Sequence, residues 1–260
     1  SPDNKGELYN KYWPADAHII GKDILRFHTI YWPIMLMALG EPLPKQIFGH
    51  PWLLNGADKM SKSRGNVMYA DDLVRHFGVD AIRYYVLHEM PFENDGTITW
   101  ELMVERTNAE LANVLGNLVN RTTTFISKYY DGVIPSFKKD EELWAKIEEG
   151  EKKVTELLEW SELKDAFHEI FAISSIANKA FQDGEPWKTR NTDPEAAANL
   201  IGNLVYVLKD LMIMVHPYLP HYAEKVLSFF GKTGVTGKVG KPNNEGALTW
   251  VDLGKLEGLD

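Results

Sequence analysis

Two lysines and two serines lie within five consecutive positions of the sequence, in the stretch KMSKS at residues 59–63. An Arg-Gly-Asn tripeptide follows, and no apolar periodicity makes the segment part of a core. A lysine ammonium is a compact charge on a flexible stem. Lys59 and Lys62 are therefore suited to holding a polyphosphate and stabilising the negative charge that develops on it. An exposed basic turn is the other interpretation, and the residue types alone do not decide between the two.

An aromatic stripe lies upstream, in the segment DILRFHTIYWP. Ile24, His28 and Trp32 recur at i, i+4 and i+8, so they share one face of a predicted helix. Phe27 and Tyr31 flank them. Such a stripe is normally core packing, with the histidine satisfied by its neighbours. The functional interpretation is an apolar ligand pocket, which the spacing alone neither requires nor excludes.

Gly21 and Asp23 come just before this stripe, where a predicted strand turns into the helix. Glycine lets a ligand approach the backbone closely because it has no Cβ. Asp23 has the residue type of a helix N-cap, and that structural role stands beside a role in binding a ligand. Nucleotides bind open α/β sheets outside the carboxyl ends of the strands, which is where this turn is predicted.

A third group of candidate residues lies in the second half of the chain. Asn113, Asn117 and Arg121 recur at i, i+4 and i+8 on a long predicted helix, 101–130, and form a polar stripe opposite the leucines. The stripe is either a solvated face or a surface that reads base edges in single-stranded RNA. Pro186 is suited to the first turn of a helix, which places Trp187 beside it as either a hydrophobic plug or a platform for a base.

The elements that must position these residues alternate over the first hundred positions. Segments 15–21 and 45–54 have strand patterns, and 22–40 between them has the pattern of an apolar helix that Pro33 should kink. This βαβ order predicts a parallel α/β sheet, the C-terminal part of a Rossmann-like domain.

The remaining predicted elements are helices separated by Gly- and Pro-containing breakers. They cover residues 70–76, 79–88, 101–130, 141–160, 163–181, 194–215 and 221–230. The first two form a linking subdomain and the last five an all-α bundle, with a Gly- and Lys-rich loop from residue 231. The predicted domains are therefore 1–100 and 101–260.

Composition restricts the possible function classes. The 260 residues include no cysteine, which excludes disulfides and thiolate metal sites and fits a reducing, cytoplasmic setting. No metal-ligand spacing of histidines is present, so no metal site is expected in this segment. No apolar run approaches the roughly 20 residues of a membrane span. A net charge of −9 argues against nonspecific binding of nucleic acid by bulk attraction.

Several segments resemble the bacterial methionyl-tRNA synthetases, which belong to class I, in order and in spacing. The matching stretches are HIIGKDILRFHTIYWP, GHPWLLNGADKMSKSRGNV, FGVDAIRYYVLHEMPFENDG, ERTNAELANVLGNLVNRT and GEPWK. The resemblance extends over about residues 12–221. It implies ATP-dependent activation of methionine to methionyl-adenylate and transfer of the methionyl group to tRNA(Met), with Mg²⁺ accompanying ATP. It also implies that residues 101–260 bind the anticodon.

The resemblance also implies roles for the candidate residues. Lys62 matches the lysine that supports the pyrophosphate, and Lys59 shapes the loop and its charge. The ATP or adenosine site would comprise Gly21, Asp23, His50, Ser61, Lys62 and Ser63. The methionine side chain would lie against Ile24, Phe27, His28 and Trp32. The anticodon would be bound by Asn117, Arg121, Pro186 and Trp187.

The sequence departs from the family pattern in one respect. The other class I signature, His-x-Gly-His, is absent, and "HIIG" at residues 18–21 is only a chance echo of it. We therefore expect the chain to correspond to the C-terminal half of a longer enzyme and to be inactive alone. Zinc would belong only to the missing half. A monomer is the favoured state for this segment.

Three alternatives remain open. A leucine, isoleucine or valine synthetase shares the lysine loop and a helical bundle, but the pocket residues and the Asn-Arg and Pro-Trp pairs argue against it. A noncatalytic tRNA-binding module would retain the RNA surface without the chemistry. A helical interaction protein with an incidental loop would share none of the five motifs except by chance.

Overall fold

The computed structural model describes residues 6–89, 92, 94–232, 234–235 and 247–259. Most of the predicted Gly- and Lys-rich loop, 236–246, and part of the PFENDGTIT loop, which begins at residue 91, lie outside these residues. The chain divides into two compact units. The sheet unit comprises residues 1–67 and 90–98, and the helical unit comprises 68–89 and 99–260.

The sheet unit begins with helix α1 (Glu7–Tyr12) and contains a parallel strand pair. Strands β1 (Ala17–Gly21) and β2 (Gln46–His50) run side by side, with Gly21 opposite His50. Parallel neighbours need a long crossover, and the helical segment between the two strands supplies it. Their carboxyl ends therefore lie at the same edge.

The crossover is not the single kinked helix that was predicted over 22–40. A 3₁₀ turn (Lys22–Ile24) leads to a wide π-helical turn (Phe27–Tyr31), and helix α2 (Trp32–Ala38) follows. Pro33 lies in the first turn of α2, where its missing N–H is tolerated. Because proline cannot donate to the carbonyl one turn back, the irregular turn occurs just before it.

A second sheet carries the lysine loop. Strands β3 (Leu53–Asn55), β4 (Asp58–Lys59) and β5 (Gly96–Ile98) are ordered β4-β3-β5, with β3 antiparallel to β4 and parallel to β5. The prediction of one strand over 45–54 is wrong. Pro51 has no N–H to donate to a ladder, and β2 and β3 on either side of it pair in different sheets.

The helical unit is built around one buried helix. Its helices are α3 (Ala70–Phe77), α4 (Val79–Tyr84), α5 (Trp100–Arg106), α6 (Asn117–Tyr129), α7 (Glu141–Glu159), α8 (Leu163–Gly184), α9 (Pro186–Thr192), α10 (Pro194–Val215) and α11 (Pro220–Ser228). Helix α10 is buried at every position from Ile201 to Val215. Among the described residues it is the one helix long and apolar enough to cross a bilayer, but 83% of its apolar window is buried inside the protein, as in a core helix.

The helix predicted over 101–130 has an irregular middle. Helices α5 and α6 are joined by a π-helical segment (Thr107–Gly116), so the chain continues in one direction with a wider turn. Asn117 and Arg121 both lie in the regular part, α6, and therefore keep the shared face that their spacing predicted.

A buried charged cluster fixes the end of the chain to α10. Lys209 and Asp210 are fully buried and form an ion pair of 2.9 Å. The Lys209 ammonium also donates to the backbone oxygens of Asp252 and Lys255, at 2.5 and 2.6 Å. Burial and the neighbouring Asp210 raise the pKa of Glu151, on α7, to about 8. The Glu151 carboxyl therefore keeps its proton to a higher pH than an exposed glutamate would.

Candidate functional site

The lysine loop, residues 58–66, is held at its base by Asn66. The Asn66 side chain accepts from the Ser61 N–H at 2.8 Å and donates to the Lys59 carbonyl at 3.3 Å. Asn55 on β3 donates in turn to the Asn66 carbonyl at 3.0 Å. Gly65 has a φ of 65°, which favours glycine and closes the short 3₁₀ turn Lys62–Arg64. The loop is therefore closed by side-chain amides as well as by strand pairing.

The two serines of this loop lie on either side of the exposed Lys62. Ser61 and Ser63 share a hydrogen bond of 2.8 Å between their hydroxyl oxygens. Lys62 is exposed and makes no ion pair or ring contact with any described residue. Lys62 and Ser63 are exposed, whereas Ser61 is half-buried. The sequence analysis did not predict that the Asn66 side chain closes the loop.

Gly21, Asp23 and His50 gather at the carboxyl edge of β1 and β2. A Cβ placed on Gly21 would lie 3.6 Å from Asp23 Oδ2 and 3.8 Å from His50 Cε1. Asp23 is not an N-cap, because Gly21 occupies the N-cap position of the 3₁₀ turn Lys22–Ile24 and no side chain caps that turn. The His50 Nδ1 lies 2.9 Å from the Pro51 carbonyl oxygen, which fixes the ring. At this edge the Asp23 carboxylate and the His50 imidazole lie beside the backbone of Gly21, which has no side chain of its own.

An aromatic cavity of about 410 Å³ lies between β1 and the crossover helix. It is lined by His18, Phe27, His28, Tyr31, Trp32 and Met35. The structure thus brings three of the four predicted pocket residues together. Ile24 does not line the cavity. Its carbonyl oxygen lies 3.0 Å from His28 Nδ1 and orients that ring.

The sequence analysis named Tyr31 only as a neighbour of the stripe, and it missed His18 and Met35 as pocket residues. The Trp32 indole N–H donates to His18 Nε2 at 3.3 Å, so His18 orients the tryptophan rather than merely echoing a signature. Tyr31 and Met35 follow Phe27 at i+4 and i+8, a second stripe with the same period as the first. That periodicity could have found them.

On the helical unit, Arg121 and Trp187 belong to one cation–aromatic cluster. The Arg121 guanidinium lies 4.2 Å from the centroid of the Phe181 ring and 5.9 Å from that of Trp187, and it donates to the Gln182 side-chain oxygen at 3.0 Å. Phe181 and Trp187 stack with 6.1 Å between ring centroids. Trp187 is only partly buried, so it is not sealed in the core.

The other two predicted residues of this surface have different environments. Pro186 is buried at the first turn of α9, where it fixes the entry of the helix. Asn117 is exposed, one helical turn before Arg121 on α6. Phe181 and Gln182 were missed, because their contacts with Arg121 cross about 60 residues of sequence. Within the described ranges, no group of three or more His, Cys, Asp or Glu side chains is arranged to hold a metal ion.

Two family descriptions match the chain in succession. "tRNA synthetases class I (M)" matches residues 1–123, and "Anticodon binding domain of methionyl tRNA ligase" matches residues 135–255. The chain belongs to the methionyl-tRNA synthetase family. The family predicted from the sequence motifs is thereby confirmed. The fold is that of a class I synthetase with a helical anticodon-binding domain, in its coarse outline as predicted.

Individual members of the family show the same relationship. Methionine–tRNA ligase 1 of Bacillus cereus is 46% identical over 235 residues, which is 87% of this chain and 36% of the relative. The methionine–tRNA ligase of Caldanaerobacter subterraneus is 43% identical over 253 residues, or 95% of this chain and 38% of the relative. The chain thus spans little more than a third of the length of these curated family members.

A solved structure of the family superimposes on the chain. It is Mycobacterium tuberculosis methionyl-tRNA synthetase in complex with methionyl-adenylate, 34% identical, with a TM-score of 0.82. The match covers 97% of this chain and 49% of that one.

Proposed function

We propose that this chain supplies part of a methionine–tRNA ligase. The enzyme activates methionine with ATP to methionyl-adenylate and then transfers the methionyl group to tRNA(Met). The observation that carries the proposal is the aromatic cavity beside β1, in the same unit as an exposed lysine loop and a strand-edge carboxylate. Family membership supports the reaction class. We expect the protein to act in the cytoplasm, and to do so as a monomer.

The aromatic cavity suits a thioether side chain. Its rings, Phe27, Tyr31 and Trp32, offer faces and edges to a sulfur atom, and each sulfur–aromatic contact is worth roughly 0.3–1.5 kcal/mol. A charged side chain would lose its hydration there without gaining an opposite charge, so the pocket discriminates against it. His18 and His28 provide the few polar atoms that fix orientation.

The edge beside the cavity suits ATP. The Asp23 carboxylate can accept hydrogen bonds from ribose hydroxyls, and Gly21 leaves room for the nucleotide to approach. Lys62, with Ser61 and Ser63 beside it, would meet the triphosphate. The methionine carboxylate attacks the α-phosphorus, and pyrophosphate leaves with the electron pair of the broken bond. Positioning and charge neutralisation provide most of the catalysis in such a step. Mg²⁺ would accompany ATP on the phosphate oxygens.

The cation–aromatic cluster of the helical unit suits an unpaired RNA base. Trp187 is partly exposed and is braced by Phe181 and Arg121, so it is a rigid platform. Stacking on such a ring is worth about 1–3 kcal/mol per base, and anticodon bases are splayed enough to reach it. Asn117 lies beside Arg121 along α6 and offers amide groups to base edges.

Two substitutions in the full-length protein separate the two steps. Lys62→Ala should lower methionine-dependent ATP–pyrophosphate exchange by about 10²–10³, because one preorganised positive group is lost from the transition state. Trp187→Ala should lower tRNA charging severely and leave exchange nearly normal. Lys179→Ala, an exposed lysine on α8, and Trp160→Ala serve as matched controls. A parallel fall of both reactions in the Trp187 variant would contradict the division of labour.

A further experiment uses the 260-residue chain alone. It should show no methionine-dependent exchange, because the His-x-Gly-His part of the site is absent from it. Robust exchange would refute this expectation. Binding of tRNA without exchange by the full-length protein would instead favour the noncatalytic tRNA-binding module.

A further inference from the structure

The two lysines of the lysine loop have different surroundings. The Lys59 ammonium lies 3.4 Å from the centroid of the Trp52 ring, and the Lys22 ammonium lies 4.3 Å from the same centroid. Both distances are within the range of a cation–π interaction. Lys62, three residues after Lys59, has no such partner among the described residues.

Asp95 completes a cluster around the indole. Its carboxylate accepts the Trp52 backbone N–H at 3.0 Å and forms an ion pair with Lys22. The bond from Lys22, the bond from Trp52 and the nearby charge of Lys59 lower the pKa of Asp95. Two ammonium groups near one ring repel each other, and the Asp95 carboxylate compensates that repulsion.

The cluster is fixed by strand pairing rather than by the loop itself. Trp52 and Asp95 immediately precede β3 and β5, and the Gly96 N–H donates to the Trp52 carbonyl at 3.0 Å. Lys59 lies opposite Leu54 in the β3–β4 ladder. The Trp52–Lys59 contact is thus set by the β4-β3-β5 sheet.

We propose that Trp52 and Asp95 are positioning residues that hold Lys59 at the base of the loop and leave Lys62 as the lysine that meets the triphosphate. The catalytic roles of the two lysines rest on the proposed function, whereas the positioning of Lys59 by Trp52 and Asp95 does not. The two lysines are therefore not interchangeable. Lys59 contributes a fixed charge, and Lys62 contributes a charge that moves to the ligand.

Competitive acetylation of the lysines, read by peptide mass spectrometry, tests the holding of Lys59 directly. In the wild-type chain Lys59 should react more slowly than Lys62, with exposed Lys179 as the internal reference. Trp52→Ala should raise the rate at Lys59 about two- to fivefold, the change expected from losing one exposed cation–π contact. The rate at Lys62 should stay the same.

Trp52→Phe keeps a ring face and should restore most of the protection, which a purely structural role of the indole would not predict. Asp95→Asn keeps the acceptor for the Trp52 N–H but removes the charge, and should raise the rate at Lys22. Trp160→Ala is the control for loss of a tryptophan elsewhere. Equal rates at Lys59 in the wild type and in Trp52→Ala, with both folded by circular dichroism, would overturn the proposal.

Addition of ATP and Mg²⁺ to the full-length protein tests the catalytic part. Lys62 should become protected while the rate at Lys59 changes little. Trp52→Ala should lower the kcat of exchange more than it raises the KM for ATP. Protection of Lys59 in place of Lys62 would overturn the proposal. If ATP protects neither lysine while the acetylation pattern of the variants holds, the proposed function fails and the holding of Lys59 stands.

Discussion

The sheet unit and the helical unit use their apolar residues in opposite ways. In the helical unit, α7, α8 and α10 bury large side chains such as Trp144, Phe167 and Ile201 completely. In the sheet unit, large apolar side chains such as Phe27 and Met35 are more than half exposed, and both line the cavity. The helical unit therefore buries its large apolar side chains in its own core, whereas the sheet unit leaves several of them exposed around a cavity.

The largest expected effect is a loss of stability in the core of the helical unit. Phe167→Ala removes a fully buried ring that stacks on Tyr218 with 4.1 Å between centroids. We expect it to lower the free energy of unfolding of the helical unit by about 3–5 kcal/mol. Urea titration followed by far-ultraviolet circular dichroism measures this value.

Phe27→Ala in the sheet unit is the matched comparison. Phe27 is 57% exposed, so the unfolding free energy should change by no more than about 0.5 kcal/mol. Its effect should fall on methionine binding instead, as measured by calorimetry of the full-length protein. Equal destabilisation by the two substitutions would remove the contrast between the units.

An intermediate effect concerns the charged cluster beside α10. The pKa of Glu151 is raised from 4.5 to about 8, chiefly by burial. Between these values the folded state holds a proton that the unfolded state has lost, so stability falls as pH rises from about 4.5 to about 8. Glu151→Gln removes this penalty and should stabilise the protein increasingly over that window, by about 1–3 kcal/mol at its upper end.

Thermal melting at a series of pH values measures the effect of Glu151→Gln. One kcal/mol corresponds to a shift of roughly 2–4 °C for a unit of this size. Glu142→Gln is the control, because the pKa of exposed Glu142 is lowered by its bond with Lys146 and the substitution should bring no such gain. A melting difference for Glu151→Gln that does not vary with pH would contradict the assignment of the proton.

The smallest expected effect is at a helix start. Asp193 caps α10 by accepting the Ala196 N–H at 3.0 Å. Asp193→Ala should cost about 1 kcal/mol of unfolding free energy, and Asp193→Asn should recover most of it. In the sheet unit, Asp16 pairs with Lys45 in full solvent, and Asp16→Ala should have no measurable effect. If Asp193→Ala changed the unfolding free energy as little as Asp16→Ala, the cap would not contribute to stability.

The helices of the helical unit could be predicted closely from sequence because their signals are local. Helix α10 covers the predicted residues 194–215, with Asp193 as N-cap and Pro194 in the first turn. The start of α7 at Glu141 follows the same logic, with Asp140 as its cap. Each boundary is specified by residues within one turn of it, so periodicity and capping residues sufficed.

The sheet unit was predicted less well because its geometry depends on distant partners. Asp95 bonds to Trp52 across 43 residues, and β3 pairs with β5 over the same distance. No local sequence pattern around Asp95 or Trp52 indicates this contact. The wide turn at Phe27–Tyr31 likewise changes which side chains reach the cavity, so Ile24 lies outside it and Tyr31 lies inside. The residue types located the cavity along the sequence, but only the folded structure shows which side chains line it.

The ammonium of Lys209 has a consequence for how the end of the chain can vary. Its two acceptors in that segment are main-chain oxygens, those of Asp252 and Lys255, which substitute for a hydration shell that the interior lacks. Every amino acid carries such an oxygen. The two acceptors therefore do not depend on which side chains residues 252 and 255 carry, whereas the insertion or deletion of a single residue would displace the carbonyls and leave the Lys209 charge unpaired in the interior.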